Sequence, residues 1–209
     1  LVMDLATGAL VEHDQEVVVG TGPVDVAVSP GSGAIPTLVF VANQDSNDVT
    51  VYLADLNTGQ LTLVPGSPFP NPVAGDQIGA VEVVQDNLYV TNRVSNTISR
   101  YTINLTTGVL TPGTSFASGG VLPGRMTRLE TPAALFLYCA NSGSSNVTGF
   151  QVNPTNGALA PLAGFPVAAG GNNPHQFTQV SLPDGTVVLY LTTSNQVSGF
   201  EVDTTSGAL

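Results

Sequence analysis

The chain has 209 residues, 42% of them hydrophobic and 9% charged, a balance of a folded chain rather than a disordered one. Its net charge is −11, from 15 acidic residues against four arginines and no lysine, which disfavours nucleic acid and anionic membrane surfaces as partners. A single cysteine, Cys139, excludes an internal disulfide, and its apolar run LFLYCAN reads as a buried thiol.

Residues 1–10, LVMDLATGAL, lack the basic start of a signal peptide and also lack an initiator methionine, so the chain reads as processed or trimmed. No apolar run has the length of a membrane helix. The following segment, LVEHDQEVVV at 10–19, reads as an outer strand. Glu12, Asp14 and Glu16 share one face there and His13 points to the other, which reads as an exposed acidic face rather than a metal site.

From there the chain repeats. A polar-Gly turn recurs at TGAL 7–10, TGQL 58–61, TGVL 107–110, NGAL 156–159 and SGAL 206–209, with glycines at Gly8, Gly59, Gly108, Gly157 and Gly207. These glycines stand 51, 49, 49 and 50 residues apart. Seven residues before each stands Leu1, Tyr52, Tyr101, Phe150 or Phe200, and two further on Met3, Ala54, Ile103, Val152 or Val202. Alternation with a period of two marks the buried face of a strand, and Tyr52, Tyr101, Phe150 and Phe200 are expected in equivalent buried sites. Before this strand comes another, LVFVAN, LYVTN or LYCAN, ending at Asn43, Asn92 and Asn141, with Thr193 in the fourth copy. Between the two strands stand Ser46-Asn47, Ser95-Asn96, Ser145-Asn146 and Ser194-Asn195, short polar residues suited to tight turns.

Each unit thus predicts four short strands: an inner one such as PVDVAV at 23–28, the LYVTN type, the Tyr/Phe strand, and an outer one such as LTLVPG at 61–66. The fold class is all-β: a β-propeller of four blades of about 50 residues in a single domain 1–209, with units near 10–58, 59–107, 108–156 and 157–209. A β-solenoid is the alternative. The outer strand 10–19 has no partner before it in sequence, and the last unit stops before its own outer strand. Either 10–19 closes a four-bladed ring, or the chain is part of a larger propeller, or the strand is donated to a neighbouring subunit. The pairing to look for is Glu12–Val19 against Val197–Val202.

LYVTN at 88–92, SNTIS at 95–99, TTGVL at 106–110 and PGSPFP at 65–70 resemble the lactonase-like, or YVTN-type, β-propellers, and the resemblance runs along essentially the whole chain. It implies seven blades, frequent secretion or surface exposure, and in some relatives lactone hydrolysis or isomerisation. It also offers site candidates at the inner-strand starts that line the channel. After Pro23, Pro123 and Pro174 come Asp25, Arg125 and Gln176, and His175 in PHQF resembles a Pro-His step of lactonase-type propellers. His175 is the candidate base and Arg125 the candidate anion clamp, with the alternative that they are ordinary polar residues of the channel mouth.

Asp45 and Asp48 in DSND would offer oxygens to calcium, though a plain turn fits better. Phosphate-loop and nucleophile-elbow motifs are absent, and no cofactor is expected. Asn104-Leu105-Thr106 and Asn146-Val147-Thr148 have the form of glycosylation sequons. A surface built from Ser, Thr, Asn, Gln and Gly suggests an extracellular or cell-surface location. On the residues alone, a non-catalytic scaffold or binding propeller that associates with itself or with further blades is the leading reading. A lactone-acting enzyme is the alternative.

Overall fold

The computed structural model describes residues 17–209, together with the backbone of two short N-terminal strands. It is all β, with no helix among the described residues. The strands, in chain order, are β1 (Val2–Met3), β2 (Leu10–Val11), β3 (Pro23–Ser29), β4 (Thr37–Asn43), β5 (Asp48–Ala54), β6 (Leu61–Leu63) and β7 (Phe69–Pro70). There follow β8 (Ile78–Val84), β9 (Asn87–Asn92), β10 (Thr97–Ile103), β11 (Leu110–Ala117), β12 (Pro123–Glu130), β13 (Leu135–Asn141), β14 (Asn146–Val152), β15 (Leu159–Pro161) and β16 (Val167–Ala168). The last are β17 (Phe177–Ser181), β18 (Val187–Thr192) and β19 (Val197–Val202).

They form successive antiparallel meanders: β3-β4-β5-β6 with β7 also on β5, then β8-β9-β10-β11, then β12-β13-β14-β15 with β16 on β14, and finally β17-β18-β19. These are the four expected blades. Each sheet starts at an inner strand, so the sequence units, counted from the glycine turns, divide the first three sheets before their outer strands. The inner strands follow one another, β3 against β8, β8 against β12 and β12 against β17, as blades around a common channel do.

Short polar residues set the turns. The buried Asn43, Asn92 and Asn141 each close a second strand by donating from Nδ2 into the third. Asn43 reaches Asp48 and Thr50 at 2.7 and 2.9 Å. Asn92 reaches Thr97 and Ser99 at 2.9 and 2.8 Å, and Asn141 reaches Asn146 and Thr148 at 3.0 and 2.7 Å. The turns between take one left-handed residue each: Asn47, Asn96 and Ser145, at φ 54°, 57° and 53°. In the third blade the left-handed residue is therefore Ser145. Asn146 already belongs to β14, one place later than the sequence alignment sets it. At the polar-Gly turns, Gly59, Gly108, Gly157 and Gly207 donate to the carbonyls of Asp55, Asn104, Asn153 and Asp203 at 2.7–2.8 Å.

The core lies between blades. Leu38, Phe40 and Ala42 of the first blade pack on Val81, Leu88, Val90 and Tyr101 of the second. Tyr89 and Ile98 of the second pack on Leu137, Cys139 and Phe150 of the third. Phe136 and Tyr138 of the third pack on Leu189, Leu191 and Val202 of the fourth. Tyr52, Tyr101 and Phe150 are buried as expected. Phe200 is only half-buried, because β19 carries no outer strand.

The N-terminal expectation needs correction. β2 does have a partner earlier in sequence: β1 pairs with it, Val2 opposite Val11 and Met3 opposite Leu10. β19 pairs with β18 alone among the described residues. Glu12, His13, Asp14 and Glu16 lie outside the described residues, and Val17–Val19 form no strand. The Val18 carbonyl instead accepts from the Tyr52 hydroxyl.

Candidate functional site at the channel mouth

The starts of the inner strands and the ends of the second strands meet at one mouth of the channel. Gly79, Arg93, Gly124, Arg125, Ser142 and His175 line a cavity there of about 290 Å³. The two side chains singled out from sequence, Arg125 and His175, therefore share one cavity, although they come from different blades.

Their partners differ. Arg125 pairs with Asp25, which lies two blades away on β3, and donates to the Val24 carbonyl at 2.8 Å. Asp25 also accepts from the backbone N–H of Val81 at 3.0 Å and of Val26 at 2.9 Å. A single carboxylate thereby ties the first three blades together at the channel. Burial lowers the Arg125 pKa from its ordinary value, yet the guanidinium keeps its charge, opposite Asp25. Because that charge is already balanced, Arg125 suits a structural wall better than the free anion clamp expected from sequence.

His175 is exposed and held by its backbone, its N–H donating to the Thr192 carbonyl at 2.8 Å. The neighbouring Gln176 receives a bond from the Thr192 N–H at 3.0 Å. These bonds fix the backbone just ahead of β17, where His175 lines the cavity.

Arg93 was missed in the sequence. It follows the closing asparagine of LYVTN, where the other blades place Gln44, Ser142 and Ser194. Its side chain has no ion pair among the described residues. It is the cation of this cavity that remains available to an anion. The signal was present, since a cation breaks an otherwise uncharged repeat position, but only the tertiary structure shows that the position faces His175's cavity.

The remaining candidates lie elsewhere. Asp45 and Asp48 sit at the β4–β5 turn, where Asp48 accepts from Asn43. Among the described residues no three His, Cys, Asp or Glu side chains gather as metal ligands do. A larger cavity of about 530 Å³ opens at the far ends of the inner strands, by Ser29, Val84, Asp86, Arg128 and Glu130. Its arginine is spent on Glu82 at 3.1 Å and the Val83 carbonyl at 2.6 Å, and it contains no histidine.

The family description "Lactonase, 7-bladed beta-propeller" matches residues 65–172, just over half of the chain. The chain belongs to this lactonase family of β-propellers. No curated protein sequence matches it significantly. Among solved structures, a putative 6-phosphogluconolactonase from Bacteroides uniformis superposes with a TM-score of 0.74 at 16% identity, over 99% of this chain and 61% of that one. A functionally unknown protein from Desulfotomaculum acetoxidans gives 0.58 at 20% identity, over 92% and 69%. The periplasmic gluconolactonase of Pseudomonas aeruginosa gives 0.53 at 19% identity, over 63% and 37%. At these identities the likeness is one of fold. The chain spans 61% of the Bacteroides protein and 37% of the Pseudomonas enzyme.

Proposed function

We propose that the protein hydrolyses a small polar lactone at the mouth formed by Arg93, Arg125 and His175. The observation that carries this reading is the convergence of an unpaired arginine and the histidine on one cavity. Family membership and the lactonase-like neighbours favour it over the scaffold reading, which rests on surface composition and open strand edges. At about 290 Å³ the cavity is at the small end of ligand sites, sized for a single ring.

In this mechanism a water attacks the lactone carbonyl carbon while His175 accepts its proton as general base. The oxyanion that develops is stabilised by the Arg93 guanidinium. Collapse breaks the ring C–O bond, and the imidazolium returns its proton to the leaving alkoxide, so that lactone plus water gives the open hydroxy acid. Arg125, fixed by Asp25, shapes the wall and holds the inner strands in place.

The test is hydrolysis of an aldonolactone by the purified protein, followed by acid release at constant pH. His175→Ala is expected to lower kcat by about 10²- to 10⁴-fold, the usual contribution of a general base, and Arg93→Ala by about 10²- to 10³-fold, that of an oxyanion donor. Turnover that is unchanged in both variants, or wild-type protein no faster than spontaneous hydrolysis, would refute the assignment.

A further inference from the structure

The cavity of about 530 Å³ at the far ends of the inner strands is separate from the mouth that holds Arg93 and His175. Its walls come from the first three blades: the loop between β3 and β4, the two-residue turn between β8 and β9, and the end of β12. The second of these blades has a neighbour on either side. The volume is that of a site for a small organic molecule.

The walls are held in shape by their own bonds. The Gly31 N–H donates to the Thr37 hydroxyl at 3.0 Å. Ser32 and Ile35 exchange backbone bonds at 3.1 and 3.0 Å. The Asp86 carbonyl in the β8–β9 turn accepts from the Ile103 N–H at 2.7 Å. Pro30, Ile35, Val83, Leu105 and Pro154 give the cavity its apolar surface, and Ile35 is exposed there.

One polar group inside is unused. Ser29 lines the cavity and is only 6% exposed. Its hydroxyl has no hydrogen-bond partner among the described residues, and its oxygen is not sealed off from the cavity. The charges around it do not cancel. Arg128 is balanced by Glu82 and by the Val83 carbonyl. Asp86 accepts from the Asn87 side chain at 2.8 Å, and Asn87 in turn accepts from Arg100 at 2.8 Å, so Asp86 meets that cation only through an amide. Glu130 has no ion pair among the described residues. The uncompensated charge of the cavity is therefore negative.

We propose that this second cavity binds a small organic cation, an ammonium carried on an apolar ring or chain. An ammonium has three donors and no acceptor, and the carboxylates of Glu130 and Asp86 with the Ser29 hydroxyl supply acceptors for them. The apolar body displaces water from Ile35, Val83 and Leu105. An anion of the same shape meets two carboxylates, and a neutral molecule leaves Glu130 unpaired beside apolar surface.

Phenethylamine, titrated into isotopically labelled protein and followed by amide chemical shifts, is the test, and it uses no turnover. Saturable shifts are expected at residues 29–35, 83–86 and 130, with a Kd of about 0.1–1 mM for so small a ligand. Phenethyl alcohol should bind at least about threefold more weakly, having lost the ion pair, and phenylpropionate should not bind. Glu130→Gln should weaken phenethylamine by about 2- to 5-fold, and Ser29→Ala by about 2- to 10-fold, the usual range for one hydrogen bond. No saturation at these amides by about 10 mM, well above that range, overturns the proposal. So do shifts spread over the whole acidic surface, equal affinity for the alcohol, or unchanged affinity in Glu130→Gln. If Ser29→Ala fails to fold, Glu130→Gln and the comparison of the three ligands decide.

Discussion

Replacing Tyr89 by Phe isolates the hydroxyl that joins the second blade to the third. The ring sits fully buried between β9 and the third blade and stays in place, so no cavity forms. What is lost is the 2.8 Å bond to the carbonyl of the buried Gly157. An abandoned buried acceptor costs about 1–3 kcal/mol. For a chain of this length that corresponds to a fall in Tm of about 2–4 °C per kcal/mol. Removing the ring altogether with Tyr89→Ala adds the cavity, for a total of about 3–5 kcal/mol or more. Urea unfolding followed by circular dichroism is the assay, with the midpoint expected to fall while the slope stays constant. A Tyr89→Phe protein as stable as wild type would show that the hydroxyl contributes nothing to holding the blades.

Two further outcomes follow from buried groups. Burial tends to raise the Asp76 pKa, but bonds from the Ser95 side chain and from the N–H groups of Val94, Gln77 and Ser95 outweigh it and hold the carboxyl below its ordinary 3.8. A depressed folded pKa gives stability that is fully present above the ordinary aspartate range and is lost as pH falls through the folded value. Asp76→Asn should therefore destabilise at pH 7 by about 1–3 kcal/mol, with the difference from wild type shrinking below pH 3.8; a difference independent of pH would refute the account. Burial pushes the Cys139 thiol up to about 12, so it should resist a thiol reagent at pH 8 in the native protein and react promptly in urea. Rapid labelling of the folded protein would show that this core opens.

The order of strands, their four-fold recurrence and the buried rings were legible in the sequence because each depends on short-range chemistry. Gly59, Gly108, Gly157 and Gly207 mark turns that need positive φ. Asn43, Asn92 and Asn141 close strands through bonds to residues five and seven places on. The alternation around Tyr52, Tyr101 and Phe150 reports a strand with one buried face. Even so, the third blade shows the limit of such reading. A Ser-Asn pair was visible there, but backbone geometry rather than residue type decided that Ser145 takes the left-handed place.

What the tertiary structure decided are the contacts between blades, which join residues far apart in the sequence. His175 and Arg125 were recognisable at strand starts, but the sequence could not show that Asp25 reaches across two blades to neutralise Arg125. Nor could it show that Arg93, at the end of a second strand, opens on the same cavity. Likewise Tyr190 looks like Tyr89 and Tyr138 in the sequence, with the same strand and the same register. Its exposure depends on whether another blade lies against it, and local propensity carries no information about such a neighbour.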